Sequence, residues 1–280
     1  MDLNYTIRAK KFRAKKSLGQ NFLVDESIID FISNNVNPND EILEIGAGLG
    51  FVTEQLIKKA KKVVALEIDN DAVKILEKNL GHFENFYLVN EDILKTDINE
   101  LPFEDKKIKI IANIPYYITS PILVHLLGEI DEINHKNRTR ITKIIMMVQK
   151  EVAKRIVANE QSKEKRYGQL SILSQMYCDV EIIKNVPKKC FMPSPKVDSA
   201  LVEFSVRNNP KVEVTRLLRK TVKAIFGARR KNIKNSLLNE GFSGVENALL
   251  KAGVKTTQRG EKLSIEKIKD IALALEEFNQ

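Results

Sequence analysis

The sequence predicts an α/β protein in which a mostly parallel seven-stranded sheet, flanked by helices, is followed by a small all-helical domain. Three observations predict it. From about residue 40 to 150, short β-branched apolar runs alternate with amphipathic stretches, the spacing of the strand–helix units that build parallel sheets. Two further apolar runs, 180–186 and 200–206, follow one another across a Pro-rich loop, which places an antiparallel pair at one edge of the sheet. Beyond the turn residues Asn208-Asn209-Pro210, every periodic segment is helical. The expected domains are therefore 1–207 and 208–280, with residues 1–16 as a basic, flexible arm.

The remaining strands of the first domain are expected at 41–45, 63–66, 86–89, 108–112 and 144–148. Helices are expected at 26–35, 53–60, 72–80 and 121–127, the last with Ser120 as N-cap and Pro121 at its first position. Two more helices, 151–158 and 169–177, precede the antiparallel pair, separated by an exposed charged loop at 162–166. The second domain reads as helices at 214–226, 233–239, 244–252 and 265–278.

With 280 residues, 43% apolar and 30% charged, the chain has the composition of a globular protein. No stretch approaches the ~18–20 uninterrupted apolar residues of a membrane helix. The charged N-terminus has no apolar core of a secretory signal, so no membrane role is expected and the expected compartment is the cytoplasm. Cys178 and Cys190 form no metal or disulfide pattern, and His82, His125 and His135 are scattered, so no metal is expected. Both cysteines read as reduced packing residues. The net charge of +9 is concentrated at the ends: residues 1–16 carry six Lys/Arg against one Asp, and 207–280 carry sixteen against eight acids. Either a lysine-rich solvated surface or a polyanion partner accounts for that balance.

Chemistry gathers at the ends of the expected strands. Ile45-Gly46-Ala47-Gly48-Leu49-Gly50 follows the first strand and opens a helix, a place where glycine lets the backbone approach a ligand closely. Glu67 ends the second strand, where a carboxylate can accept hydrogen bonds from both ribose hydroxyls of a nucleoside. This arrangement suits NAD and S-adenosylmethionine alike. Asp92 ends the third strand on the same edge, placed either to meet an exocyclic adenine amine or to cap the turn that follows.

The most informative stretch is Asn113-Ile114-Pro115-Tyr116, at the end of the fourth strand. The exocyclic amine of adenine is a poor nucleophile because its lone pair is delocalised into the ring. Acceptors aimed at its N–H bonds favour the tetrahedral geometry that attack requires, and bind the developing positive charge more tightly than the ground state. The Asn113 side-chain carbonyl and the Ile114 main-chain carbonyl are such acceptors. Pro115 fixes its own φ and restricts Ile114 to extended conformations, and Tyr116 offers a ring to stack a base. Phe191, in a loop stiffened by Pro193 and Pro195, is expected to present a second ring to the other face of that base.

Arg216, Arg219, Lys220 and Lys223 fall at i, i+3, i+4 and i+7 of the expected 214–226 helix, and Arg229, Arg230 and Lys231 follow it. With an adenine pocket in the same chain, these seven residues are the expected phosphate contacts. The Arg8-to-Lys16 run reads as an RNA-contacting arm.

Asn-Ile-Pro-Tyr resembles the turn of the amino-group methyltransferases, and nearly the whole chain resembles the ribosomal RNA small-subunit adenine N6,N6-dimethyltransferases. The matching stretches are Lys16-Ser-Leu-Gly-Gln-Asn21-Phe-Leu23, Glu44-Ile-Gly46-Ala-Gly48, Gln149-Lys-Glu-Val-Ala153, Phe191-Met-Pro-Ser-Pro-Lys-Val-Asp-Ser-Ala200 and Phe226-Gly-Ala-Arg-Arg-Lys-Asn232. The resemblance implies a Rossmann-like class I methyltransferase domain that takes S-adenosylmethionine and releases S-adenosylhomocysteine. It implies cofactor contacts from Asn21, Leu23, Gly46, Gly48, Glu67, Asp92 and Asn113, and target-base contacts from Asn113, Tyr116 and Phe191. It further implies dimethylation of two adjacent adenosines near the 3′ end of small-subunit ribosomal RNA, carried out on a pre-30S particle by a monomer. The Erm-type methylases of large-subunit RNA, and an RNA-binding assembly factor, are the competing expectations.

Overall fold

The computed structural model describes residues 5–162, 166–228 and 231–279. These form two compact units, each discontinuous in sequence. The first takes the chain as far as Leu126, then Lys136–Ala153 and Val180–Val206; the second takes Leu127–His135, Lys154–Asp179 and the chain from Arg207 onward.

The first unit opens with α1 (Tyr5–Lys11), β1 (Phe22–Leu23) and α2 (Glu26–Ser33). Strands and helices then alternate: β2 (Glu41–Ile45), α3 (Thr53–Leu56), β3 (Lys62–Leu66), α4 (Asn70–Leu80), β4 (Phe86–Val89), β5 (Ile108–Asn113), α5 (Thr119–Leu127), β6 (Ile141–Gln149) and α6 (Lys150–Ile156). After α7 (Gln169–Tyr177) come β7 (Cys178–Val186), β8 (Phe191–Met192) and β9 (Ser199–Val206). The main sheet runs β4-β3-β2-β5-β6-β9-β7. The first five strands of that order pair in parallel, and β9 runs antiparallel to β6. Every residue of β2 and β3 is buried, as in a sheet covered on both faces. From β2 the order moves outward through β3 to β4, then returns to β5 on the other side of β2. That reversal opens a crevice at the carboxyl ends of β2 and β5, where ligands bind in sheets of this kind.

The segment expected as a flexible arm is ordered from Tyr5 onward, residues 1–4 lying outside the described residues. Tyr5 and Ala9, four apart on one face of α1, are buried. Arg8 pairs with Glu54 at 2.6 Å and lies 4.8 Å above the Phe51 ring, while Phe12 meets Phe22 edge-on at 5.5 Å. Charge composition concealed this apolar face. A second sheet, also unforeseen, pairs β1 with β8 antiparallel, setting Phe22 opposite Met192 and Leu23 opposite Phe191. The helix expected from Pro121 instead begins at Thr119, continuous with a 3-10 turn over Tyr116–Ile118, so Ser120 lies inside it and caps nothing.

The second unit holds α7, α8 (Leu218–Gly227), α9 (Ile233–Asn239), α10 (Val245–Lys251) and α11 (Ile265–Glu276). A single boundary at 207 does not describe it, because 127–135 and 154–179 also belong here. Tyr177 donates to the Ile130 carbonyl at 3.1 Å, and Tyr167 meets Phe226 edge-on at 5.4 Å. Periodicity reveals that such segments are amphipathic, but not which neighbour they bury against. Of the expected loop 162–166, residues 163–165 lie outside the described residues.

Candidate active site

Sheet register assembles the site. Ile45 pairs with both Leu66 and Ala112, and Leu66 pairs with Val89, so the next residues along each strand, Gly46, Glu67 and Asn113, emerge side by side. They line a cavity of about 320 Å³ together with Asn21, Leu23, Gly48, Asp92, Ile114, Pro115 and Tyr116. That is within the size range of small-molecule sites, ~300–1,000 Å³.

The glycine loop is built for close approach. Gly46 and Gly48 hold φ of 76° and 57°, in the left-handed region. A Cβ on Gly46 would sit 2.9 Å from the Asn113 carbonyl oxygen, and one on Gly48 would sit 3.1 Å from the Phe22 ring. Side chains at either position would fill the crevice or push its walls apart.

The Glu67 carboxylate accepts from the Gly48 N–H at 2.7 Å and from the Asp69 N–H at 2.9 Å. Burial raises its pKa, and these two backbone donors pull it back only in part. A carboxylate has about four acceptor sites, so two donors from the chain leave room for hydroxyls from a ligand. One oxygen of Asp92 accepts from the Leu94 N–H at 3.0 Å as a turn cap, and the residue lines the cavity.

The Asn113 side chain makes no hydrogen bond to any described residue. Ile114 buries its side chain, leaving its main-chain carbonyl as the group it can offer a ligand. Pro115 sits at φ −57°, ψ 133°. The Tyr116 hydroxyl shares a 2.6 Å hydrogen bond with the Ser199 hydroxyl, which pins the ring against the cavity. Burial raises the Tyr116 pKa, with Ser199 opposing, so the phenol stays protonated.

Phe191 does not join them. Its side chain is 2% exposed, packed in the core cluster with Leu23, and it does not line the cavity. Full burial of a phenylalanine is worth about 1.5–3 kcal/mol, and the pairing of β8 with β1 places the ring where it obtains it.

Three residues that the sequence did not single out belong here. Glu44, in β2, lines the cavity fully buried, with Oε2 lacking any hydrogen-bond partner. Burial pushes its carboxyl up to about 7, the Thr53 hydroxyl opposing and the Glu67 charge adding to it. A carboxylate inside an apolar run, between Leu43 and Ile45, was the available signal. Gln20 and Asp69 fasten the segment 18–23 along the cavity: Gln20 donates to Asp69 at 2.7 Å, while Lys15 pairs with Asp69 and, at 2.7 Å, with Asp71. Burial pushes Asp69 up, but the hydrogen bonds from Lys15, Gln20 and the Asp71 N–H outweigh it and hold its pKa below the ordinary value.

The expected phosphate contacts lie in the second unit. Helix α8 starts at Leu218, not 214; the Leu217 N–H ahead of it donates to the Glu276 carboxylate at 2.9 Å, and Thr215 is buried. Arg216 is therefore off the helix, bonded to the Asn279 carbonyl. Arg219 pairs with Glu129 at 2.6 Å, Lys223 pairs with Glu240 at 3.0 Å, and Lys220 lies 4.6 Å over the Phe242 ring. Lys231 is exposed. Arg229 and Arg230 lie outside the described residues. Among the described residues no group of His, Cys, Asp and Glu is placed to hold a metal, and Cys178 and Cys190 are buried thiols outside any disulfide.

A family model described as ribosomal RNA adenine dimethylase matches residues 11–277. The ribosomal RNA small subunit methyltransferase A of Clostridium botulinum (strain Kyoto / Type A2) is 41% identical over 272 residues, covering 95% of each chain. That of Alkaliphilus metalliredigens (strain QYMF) is also 41% identical, covering 91% of this chain and 90% of its own. Among solved structures, the 23S rRNA methyltransferase ErmE aligns with a TM-score of 0.67 at 27% identity, over 91% of this chain and 100% of its own. A dimethyladenosine transferase from Plasmodium falciparum shares the fold, with a TM-score of 0.69 at 24% identity over 90% of this chain and 96% of its own.

Proposed function

The chain belongs to the ribosomal RNA adenine dimethylase family, and from that premise we propose how its residues perform the reaction. It is an rRNA adenine N6-dimethyltransferase of the small-subunit type. Relatives bearing the small-subunit name reach 41% identity over nearly the full chain, against 27% for the large-subunit enzyme ErmE.

The cavity suits S-adenosylmethionine on two observations: a glycine cradle that a Cβ would fill, and a buried carboxylate, Glu67, at the end of the neighbouring strand. When bound, S-adenosylmethionine supplies an electrophilic methyl group and departs as S-adenosylhomocysteine. Gly46 and Gly48 admit the chain of the ligand, Glu67 accepts its ribose hydroxyls, Asp92 its adenine amine, and Asn21 and Leu23 close the wall opposite.

The unpartnered Asn113 amide beside Gly46 carries the catalytic reading. Its carbonyl and that of Ile114 accept the two N–H bonds of the target adenine, drawing the nitrogen toward tetrahedral geometry as positive charge develops on it. Tyr116, held by Ser199, stacks the base and limits its tilt. No general base is needed, because the proton leaves to water after transfer. Arg216, Arg219, Lys220, Lys223, Arg229, Arg230 and Lys231 remain the proposed phosphate contacts of the helical unit. The four with described partners are held by exposed contacts worth little, which a phosphate can replace.

The substrate is small-subunit rRNA in a pre-30S particle, two adjacent adenosines near its 3′ end, met by a monomer in the cytoplasm. Mass spectrometry of rRNA after incubating the protein with unmethylated small subunits and labelled methyl donor tests this. N6,N6-dimethyladenosine at two neighbouring positions is expected; label confined to large-subunit RNA, or none, overturns it.

A further inference from the structure

The six cations between residues 8 and 16 divide into two groups. Arg8 and Lys15 fasten the segment, to Glu54 and to Asp69 and Asp71. Lys10, Lys11, Arg13 and Lys16 are exposed, and no ion pair with a described residue engages them. Binding a polyanion there breaks nothing. Helix α1 packs against β8, which pairs with β1, and Phe22 and Leu23 of β1 line the cavity. The strip therefore approaches the site on the scaffold that forms its wall.

Tyr117 stands at the cavity end of that strip. It is among the cavity-lining residues yet 66% exposed, and its ring contacts no other aromatic ring and bonds to no described residue. A Cβ on Gly19 would lie 3.4 Å from Tyr117 Cε1, and the Gly19 N–H donates to the Lys16 carbonyl at 3.0 Å. Lys16, Gly19 and Tyr117 are thus adjacent. An aromatic face left in water beside a base pocket, leading into a run of unpaired cations, is the arrangement that holds single-stranded nucleic acid.

Resting on the adenine-methylation reading, we propose that Tyr117 stacks the nucleotide next to the target adenine, and that Lys10, Lys11, Arg13 and Lys16 neutralise the phosphates of the single strand leading away from it. The aromatic surface outside the pocket is then Tyr117, and Phe191 supports the wall from within the core.

Fluorescence anisotropy with a fluorescein-labelled single-stranded 12-mer RNA containing two adjacent adenosines, titrated between 50 and 250 mM KCl, tests the proposal. Replacing Lys10, Lys11, Arg13 and Lys16 by Gln should lower the slope of log affinity against log salt by about 3, at ~0.7 per phosphate contact on a single strand. Tyr117→Ala should weaken binding about 5- to 150-fold with the slope unchanged, and Tyr117→Phe should restore it. The thermal melting midpoint should stay at the wild-type value in all three, which separates loss of the strip from loss of the fold. A wild-type slope in the Gln variant, or Tyr117→Ala binding within twofold of wild type, overturns the proposal. Failure of the wild-type protein to methylate unmethylated small subunits overturns the underlying reading instead, so the two failures are distinct.

Discussion

Glu44 sets a pH dependence that the structure quantifies. Its carboxyl is fully buried in β2, and burial pushes its pKa from 4.5 to about 7. In the unfolded chain it titrates as an ordinary glutamate. Between these two values the folded protein keeps a proton that the unfolded chain has released, so the free energy of unfolding falls as pH rises. Below about 4.5 both states are protonated and Glu44 contributes nothing; above about 7 both are ionised and the whole penalty is present. At 1.36 kcal/mol for each pH unit between the two values, the penalty is about 3 kcal/mol. Glu44→Gln keeps the shape and removes the charge. Urea unfolding of both proteins by circular dichroism at pH 5, 6, 7 and 8 measures the difference directly, since other titrating groups are common to both. The variant should gain on the wild type by about 3 kcal/mol between the acidic and alkaline ends, most of it below pH 7. A difference that stays flat would show Glu44 ionising at its ordinary pKa, and one that shrinks would reverse the sign of the reasoning.

Asn113→Ala should lower kcat by about 10²- to 10³-fold, the range for removing one transition-state hydrogen-bond partner. Calorimetric S-adenosylmethionine binding should remain measurable in that variant; unchanged turnover would remove Asn113 from the chemistry. Gly46→Ala places a Cβ 2.9 Å from the Asn113 carbonyl at a φ of 76°, so cofactor affinity should fall. Stability should fall too, by at least ~1–2 kcal/mol from the left-handed backbone alone, read by thermal melting. The two methyl additions should show separate rates in single-turnover assays, because after the first only one N–H remains for two acceptors; equal rates would count against the paired-acceptor geometry.

The parallel strands were legible because burial on both faces demands β-branched apolar runs, and β2, buried throughout, matches the expected bounds to the residue. The site was legible to the same depth. Gly46, Glu67 and Asp92 follow strands and Asn113 ends one, and parallel register brings such positions together. What escaped the sequence depends on pairing between distant short segments. Two-residue strands such as β1 and β8 carry no period, so nothing announced that Leu23 would face Phe191 or that this pairing would bury the ring. The α1 helix was hidden for another reason: its apolar face is only Tyr5 and Ala9 within a segment whose charge dominates any composition count.

The glycine loop leaves β2 and the acceptor turn leaves β5, and these strands are paired, with Ile45 opposite Ala112. The distance between the two halves of the site is thus set by a sheet ladder of fixed spacing and not by closure of a loop. Asn113 and Ile114 lie just past the last β2–β5 pair, and the Pro115 ring that follows restricts the backbone there. Alignment of methyl donor and amine is therefore a property of the core. Substitutions that loosen β2 against β5, far from the crevice, should depress turnover before they depress cofactor binding, because the cofactor contacts proposed for Glu67 and Asp92 come from its β3 and β4 side.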